Sequence, residues 1–167
     1  MSSPRFRIIQ LDGQLDRSEF HSGSKPLDTY FHRQVTQDIR RRITACFMAL
    51  DRDGQIAGFY TLASSSINLS DLPEEIGKKL PRYPSVPAVH MGRLAVDERY
   101  KGLGLGGALL ADALARILGS DIAAFALIVD AKDEKAATFY QHHGMIAFPS
   151  APLRLFLLMA TARLLIG

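Results

Sequence analysis

Apolar residues recur along the chain with two periods, and these periods predict where helices and strands lie. Helical spacing over residues 27–42 predicts a helix that ends in three arginines. The polar segment 51–54 predicts a hairpin turn in which Gly54 adopts a positive φ. The strands predicted in this part of the chain are 6–11, 43–51 and 55–64.

The second half of the chain alternates strands with helices. A strand over 86–96 precedes a helix over 105–118, and the continuous apolar run 123–129 predicts a central strand covered on both faces. Asp133 is expected to cap the next helix and Gly144 to end it. The remaining predicted elements are a short helix over 72–80, capped by Ser70 or Asp71 with Pro73 in its first turn, and strands over 145–148 and 153–161.

This order of elements predicts an α/β (α+β) fold with a mixed sheet, because helices alternate with strands only in the second half. The length of 167 residues, with 47% hydrophobic and 22% charged residues, suits a single domain over 1–167. The apolar stretch 153–166 contains Arg154 and Arg163 and is too short to span a membrane, so a buried strand is expected there. The N-terminus lacks the apolar segment of a signal peptide, and a cytoplasmic location is expected.

The metal-ligating and nucleophilic side chains give no strong pattern. Cys46 is the one cysteine, so no disulfide forms within the chain, and its apolar neighbours predict a buried structural thiol rather than a nucleophile. His142 and His143 are adjacent and lack the helical spacing of a metal pair, so no metal is expected. The net charge of +3 is compatible with an anionic ligand or a nucleic acid.

The most informative segment lies at residues 99–107, here called the glycine turn, where a strand leads into an amphipathic helix. Four glycines in six positions let the backbone approach a ligand, and successive amides at the positive end of a helix suit an anion such as pyrophosphate. Arg99 and Lys101 add positive charge at the rim. The four glycines are Gly102, Gly104, Gly106 and Gly107.

Other interpretations of the glycine turn are weaker. A tight turn without a ligand is disfavoured because so many glycines weaken the start of a helix. Gly102, Gly104 and Gly107 match the spacing of a dinucleotide-binding fold, and Asp130 follows at a strand end. However, residues 97–101 separate these glycines from their strand, and four predicted strands precede them, unlike that fold. A Walker A loop is excluded because no Lys-Ser or Lys-Thr follows the glycines.

The motif at 99–104 resembles the acyl-CoA turn of GNAT acetyltransferases, in which Arg or Gln is followed after two residues by Gly-x-Gly or Gly-x-Ala. Residues 128–145 resemble the next strand of that family and its helix with an Ala and a Phe-Tyr pair. Two positions depart from the pattern: Asp133 replaces a common Asn, and Met145 a common Phe. The resemblance implies a GNAT fold splayed between strands 4 and 5, and an acetyl-CoA-dependent N-acyltransferase.

The resemblance also implies direct attack of an amine on the thioester. Tyr140 is the expected general acid for the leaving sulfur, since a phenol is protonated at neutral pH; packing is its alternative role. The strand over 86–96 offers no carboxylate base, and its His90 is expected to be structural. A missing base favours an α-amine as acceptor. The residues that the resemblance assigns to acetyl-CoA are Leu94, Ala95, Val96, Arg99, Lys101, Gly102, Leu103, Gly104, Gly106, Gly107, Asp133, Ala136, Phe139 and Tyr140.

Further segments resemble one branch of the family, the GNAT toxins of toxin–antitoxin pairs. These segments are 20–31, 58–62, 84–87, 92–97 and 155–159. The resemblance implies acetylation of the α-amine of aminoacyl-tRNA, a homodimer, and a ribbon-helix-helix antitoxin as partner, with no membrane partner.

Basic clusters agree with a tRNA substrate, because phosphate contacts supply most non-specific nucleic-acid affinity, although a solvated basic face is equally compatible. The residues expected to contact tRNA are Arg33, Arg40, Arg41, Arg42, Lys78, Lys79, Arg82 and Arg93. Two alternatives stay open: a non-toxin acyltransferase acting on a small amine or a protein N-terminus, and an acyl-CoA-binding module without turnover.

Overall fold

The computed structural model describes residues 5–13 and 15–166. Its strands are β1 (Arg7–Gln10), β2 (Ala45–Leu50), β3 (Ile56–Asn68), β4 (Ser85–Val96), β5 (Ala126–Asp130), β6 (Ile146–Phe148) and β7 (Ala151–Leu158). Its helices are α1 (Lys25–Thr29), α2 (Val35–Arg40), α3 (Glu74–Gly77), α4 (Leu105–Leu118), α5 (Glu134–His142) and α6 (Met159–Ile166). A π-helical turn, Tyr30–Gln34, joins α1 to α2, so the helix predicted over 27–42 consists of three segments.

The strands form a mixed sheet in the order β1-β2-β3-β4-β5-β7-β6. Strand β4 pairs with β5 in parallel, whereas β1 with β2, β2 with β3, β5 with β7 and β6 with β7 are antiparallel. The parallel pairing joins residues 88–91 to residues 126–129, and β4 then continues to Val96. This pairing confirms the predicted mixed sheet.

The chain divides into two compact units, of which the first contains the described residues up to Ala63 together with Gly92–Ala113. Its core is built on aromatic rings: Phe31 stacks on Phe59 at 4.1 Å between centroids, and Phe20 packs edge-on against both. The hairpin turn between β2 and β3 has the predicted form, with Gly54 at φ 81° and its amide donating to the Asp51 carbonyl.

The second unit contains Ser64–Met91 and the described residues from Leu114 onward. Its core lies on one face of β4, β5 and β7, where Phe148 and Phe156 pack at 4.9 Å. The strand predicted over 153–161 was wrong in its last part, because β7 ends at Leu158 and the chain continues as α6. Met159 and Ala162, spaced by three, are the buried side chains of that helix, a period that a strand does not give.

The short helix predicted over 72–80 is also corrected. Residues 69–71 form a 3-10 turn, so neither Ser70 nor Asp71 caps the helix. Leu72 is extended, at φ −79° and ψ 154°, because Pro73 disfavours helical backbone in the residue before it. The helix α3 therefore begins at Glu74, with Pro73 as its N-cap. Among the described helices, none has the length and hydropathy needed to cross a bilayer.

Candidate active site

The glycine turn has backbone that only glycine adopts readily. Gly102 and Gly104 have φ values of 80° and 78°, in the left-handed region. Both residues are exposed, and a Cβ built on either would meet no heavy atom within 4 Å. The backbone of the glycine turn therefore faces open space that a ligand can approach closely.

Helix α4 begins within the glycine turn, and its first backbone amides have no carbonyl partner inside the helix. The Ala108 amide donates to the Gly104 carbonyl at 3.2 Å, which starts the hydrogen-bond ladder of α4. The amides of Leu105, Gly106 and Gly107 come earlier, where an α-helix provides no carbonyl one turn back. They carry the positive end of the helix dipole. This geometry fits a pyrophosphate.

Asp97 fixes the entry to the glycine turn. Its carboxylate is buried and accepts hydrogen bonds from the backbone amides of His21 and Arg99, each at 2.9 Å, and from the Arg99 Nε at 3.0 Å. Burial works to raise the pKa of Asp97, but these hydrogen bonds outweigh it and hold the pKa below its usual range. The guanidinium of Arg99 is half-exposed and is held by Asp97.

Two further side chains attach the glycine turn and its entry to neighbouring loops of the first unit. Lys101 Nζ donates to the Ser22 carbonyl at 2.6 Å, and the Tyr100 hydroxyl donates to the Asp51 carboxylate at 2.5 Å. Lys101, which the sequence placed at the rim of a ligand site, thus also anchors the loop around residue 22. These contacts hold the glycine turn against the β2–β3 hairpin and the segment before α1.

Tyr140 lies in the second unit, on the inner face of α5. Asp133 caps this helix as predicted, accepting from the Ala136 amide at 2.8 Å, and Gly144 ends it with φ 95°. The Tyr140 side chain is buried, and its ring packs edge-on against Phe139 at 5.2 Å. Burial raises the pKa of the Tyr140 phenol to about 12, so the hydroxyl keeps its proton at neutral pH.

His90 is not alone on its strand. Its Nε2 lies 2.8 Å from Oδ2 of Asp130, the last residue of β5, and Nη1 of Arg154 on β7 lies 3.7 Å from Oδ1 of the same carboxylate. Sequence reasoning missed both partners of His90. The parallel pairing of β4 with β5 brings them together, and that pairing cannot be obtained from residue spacing within β4.

The basic residues expected to contact tRNA occupy different surroundings. Those on the first helical region are exposed, as are those before β4, but the two sets belong to different units. Arg93 differs, because its guanidinium lies over the Tyr30 ring at 3.3 Å from the centroid. The Tyr30 hydroxyl in turn donates to Asp38 at 2.8 Å. The exposed residues are Arg33, Arg40, Arg41, Arg42, Lys78, Lys79 and Arg82.

Cys46 and the metal-ligating side chains add no chemistry to this picture. Cys46 is fully buried, as predicted, and burial raises the pKa of its thiol to about 12. Within the described ranges, no three His, Cys, Asp or Glu side chains could hold a metal ion together.

The mixed sheet with its parallel β4–β5 pair and the glycine turn between β4 and α4 are features of the class of acyl-CoA-dependent transferases. The acetyltransferase (GNAT) family model matches residues 13–145, and the chain belongs to this family. It is an acetyltransferase.

Two relatives match nearly end to end. The "tRNA-acetylating toxin" of Mycobacterium tuberculosis (strain ATCC 25618 / H37Rv) is 38% identical over 99% of this chain and 97% of its own. The "Probable toxin TacT" of Sinorhizobium fredii (strain NBRC 101917 / NGR234) is 34% identical over 96% of each chain.

Solved structures of similar proteins also match over nearly the whole chain, at lower identity. AtaT complexed with acetyl-methionyl-tRNAfMet is 28% identical with a TM-score of 0.86, covering 97% of this chain and 99% of that one. AtaTR bound with acetyl-CoA is 28% identical with a TM-score of 0.81, covering 98% and 99%. An AtaT mutant bound to the C-terminus of the antitoxin AtaR is 25% identical with a TM-score of 0.83, covering 98% and 99%.

Proposed function

We propose that this protein is a toxin that transfers an acetyl group from acetyl-CoA to the α-amine of aminoacyl-tRNA. The observation that carries the proposal is the nearly full-length identity of 38% with a tRNA-acetylating toxin. The complex of AtaT with acetyl-methionyl-tRNAfMet supports the same substrate class. A cytoplasmic location, a homodimer and neutralisation by a ribbon-helix-helix antitoxin belong to this proposal, and an antitoxin-bound AtaT supports the last of these.

Acetyl-CoA would be held mainly through main-chain groups. The amides of the glycine turn and of the first residues of α4 would bind its pyrophosphate, because they combine open space with the positive end of a helix. The backbone of Leu94, Ala95 and Val96 at the end of β4 would pair with the pantetheine arm. Asp133, the N-cap of α5, and Ala136, Phe139 and Tyr140 within that helix would contact the rest of the donor. Acetyl-CoA bound to AtaTR supports acetyl-CoA as the donor.

The reaction requires a nucleophile, an acid for the leaving group and an acceptor for one amine proton. The neutral α-amine attacks the thioester carbonyl, a C–N bond forms, the C–S bond breaks, and the nitrogen gives up one proton to leave a neutral amide. Tyr140 gives its phenolic proton to the leaving thiolate of CoA. With its pKa raised to about 12 by burial, the phenol carries a proton at neutral pH and so has one to donate.

The experiment that tests the function is mass analysis of bulk charged tRNA after incubation with the protein and acetyl-CoA. We expect N-acetylaminoacyl-tRNA, and we expect Tyr140→Phe to lower kcat by about 10²-fold or more while acetyl-CoA affinity is retained. Tyr83→Phe is the matched control, because Tyr83 is 62% exposed. Unmodified charged tRNA, with turnover of free polyamines instead, would show that the protein is a small-amine acetyltransferase.

The glycine turn is tested separately by binding. A leucine at position 104 would extend into the space assigned to pyrophosphate, so Gly104→Leu should weaken acetyl-CoA binding at least tenfold in a calorimetric titration. Gly13→Leu is the matched control, since Gly13 also has a positive φ, of 98°, and lies outside the glycine turn. Equal acetyl-CoA affinity in the two variants would contradict the assignment.

A further inference from the structure

We propose that His90, oriented by Asp130, accepts the proton that the attacking amine loses. This inference rests on the proposed function, because it concerns the acceptor amine of the same reaction. It assigns a base to a site in which the sequence shows no carboxylate on β4. Asp130 acts as a positioning residue in this proposal, and the Arg154 guanidinium lies 3.7 Å from its carboxylate.

The hydrogen bond between the two side chains fixes where the histidine proton lies. An ionised carboxylate only accepts hydrogen bonds, so Nε2 of His90, at 2.8 Å from Asp130, must carry the proton. In the neutral ring, Nδ1 then has a free lone pair. The same carboxylate stabilises the imidazolium ion once Nδ1 takes up a second proton.

The imidazole of His90 is partly open to solvent, and a cavity lies on the far side of its partner network, at Arg154. The His90 side chain is 31% exposed, and the β4–β5 pairing ends one residue after it, at Met91 and Val129. A cavity of about 310 Å³ opens beside Arg154 on the second unit. Three of its lining residues are apolar: Ile67, Phe148 and Ala151. The other lining residues are polar or charged: Ser66, Asn68, Asp71, Ser150 and Arg154.

The charged groups around His90 come from three elements. Asp130 on β5 contacts the ring directly, Arg154 on β7 pairs with Asp130, and Asp71 of the 3-10 turn lines the cavity that Arg154 borders. The ring of His90 therefore has one carboxylate in direct contact, and a guanidinium holds that carboxylate from its other oxygen.

The proton transfers balance in a single turnover. As the amine nitrogen bonds to the acetyl carbon, its proton moves to Nδ1 of His90. The C–S bond breaks, and the thiolate takes the Tyr140 proton. His90 afterwards releases its proton to water, Tyr140 is reprotonated, and the products are the amide and free CoA.

Kinetics with charged tRNA test the role of His90. We expect His90→Ala to lower kcat/KM about 10²-fold at pH 7, to remove the acidic limb of the pH profile, and to regain activity with added imidazole. Asp130→Asn should lower kcat/KM about tenfold and shift that limb. His142→Gln, at an exposed histidine, is the control. An unchanged pH profile, an effect on KM alone, or no rescue by imidazole would overturn the proposal.

A second measurement does not depend on activity. Nitrogen-15 NMR of the histidine rings should show neutral His90 with its proton on Nε2, and Asp130→Asn should disturb that tautomer. A proton on Nδ1 would overturn the proposal even if charged tRNA is acetylated. If charged tRNA is not acetylated but His90 shows the Nε2 tautomer, the proposed function is contradicted and the His90–Asp130 arrangement is supported.

Discussion

Tyr140 combines a hydroxyl group with a side chain that is buried on the inner face of α5. Desolvation penalises the phenolate, which raises the pKa of Tyr140 to about 12. The environment therefore protects the proton that the proposed reaction uses. An exposed tyrosine would begin to lose this proton near pH 10.

Tyr140 should consequently remain neutral in alkaline solution. We expect the ultraviolet difference titration between the native protein and Tyr140→Phe to show no phenolate signal below about pH 11, because the folded pKa is shifted upward. Tyr83→Phe, at an exposed position, is the control for loss of one tyrosine. A Tyr140 phenolate signal that rises near pH 10, the usual range of a tyrosine, would contradict the burial of the phenol.

Sequence reasoning was most successful at the residues that carry local chemistry. Asp133 as a helix cap, Gly144 as a helix end and Cys46 as a buried thiol follow from short-range rules, and the structure confirms all three. The partners of His90 were out of reach because Asp130 lies 40 residues away in sequence. Only the pairing of β4 with β5 makes them neighbours.

At the scale of elements, the segment from Asp97 to α4 depends on one buried carboxylate. Because the pKa of Asp97 is lower in the folded chain than in the unfolded chain, its ionised form stabilises the fold above about pH 4. This stabilisation is lost as the pH falls through the folded pKa. The contribution of ionised Asp97 to the free energy of unfolding should therefore decrease as the protein is titrated with acid.

Asp97→Asn should lower the free energy of unfolding at pH 7 by about 1–3 kcal/mol, since it leaves buried donors poorly matched and removes the charge that Arg99 faces. The deficit should shrink as the pH falls below about 4 and through the lowered pKa at which folded Asp97 becomes protonated. Urea unfolding at several pH values measures both effects. The control, Asp121→Asn at an exposed loop position, should change little. An Asp97→Asn deficit that is constant with pH would contradict the ionised role.

Strand β3 makes one contact that permits no side chain. A Cβ on Gly58 would lie 2.9 Å from the Ala95 carbonyl oxygen and 3.0 Å from the Leu109 side chain. We expect Gly58→Ala to destabilise the protein by about 1–3 kcal/mol through overpacking. Gly119→Ala is the matched control, because its Cβ would meet its nearest neighbour at an ordinary 3.4 Å. Equal midpoints in urea unfolding for the two variants would show that β3 can shift to accommodate the methyl group.

The elements themselves were predicted unevenly, for identifiable reasons. Helix α4 was found with its bounds because its apolar stripe runs its full length. Helix α6 was missed because its apolar residues follow β7 without a break, and Leu164, at 86% exposure, does not follow the buried stripe. The start of α3 was misplaced because the effect of Pro73 on the preceding residue overrode two acceptable capping residues.

For the molecule as a whole, the net charge of +3 understates how basic parts of its surface are. Arg40, Arg41 and Arg42 are consecutive and exposed at the end of α2. Two carboxylates are engaged with basic side chains of the protein, since Asp97 holds Arg99 and Asp130 pairs with His90. Because the three arginines are exposed, a polyanion can reach them, and a tRNA backbone is the polyanion that the proposed function supplies.

Salt dependence measures that contribution directly. Each phosphate contact releases a counterion, so the logarithm of kcat/KM for charged tRNA should fall linearly with the logarithm of salt concentration. Replacing Arg40, Arg41 and Arg42 together by glutamine should lower the magnitude of that slope by about one for each arginine that binds a phosphate, and leave acetyl-CoA affinity unchanged. Arg163→Gln, an exposed arginine on α6, should leave the slope unchanged. If the triple variant keeps the slope of the unaltered protein, the end of α2 is a solvated surface, and the phosphate contacts must lie elsewhere on the molecule.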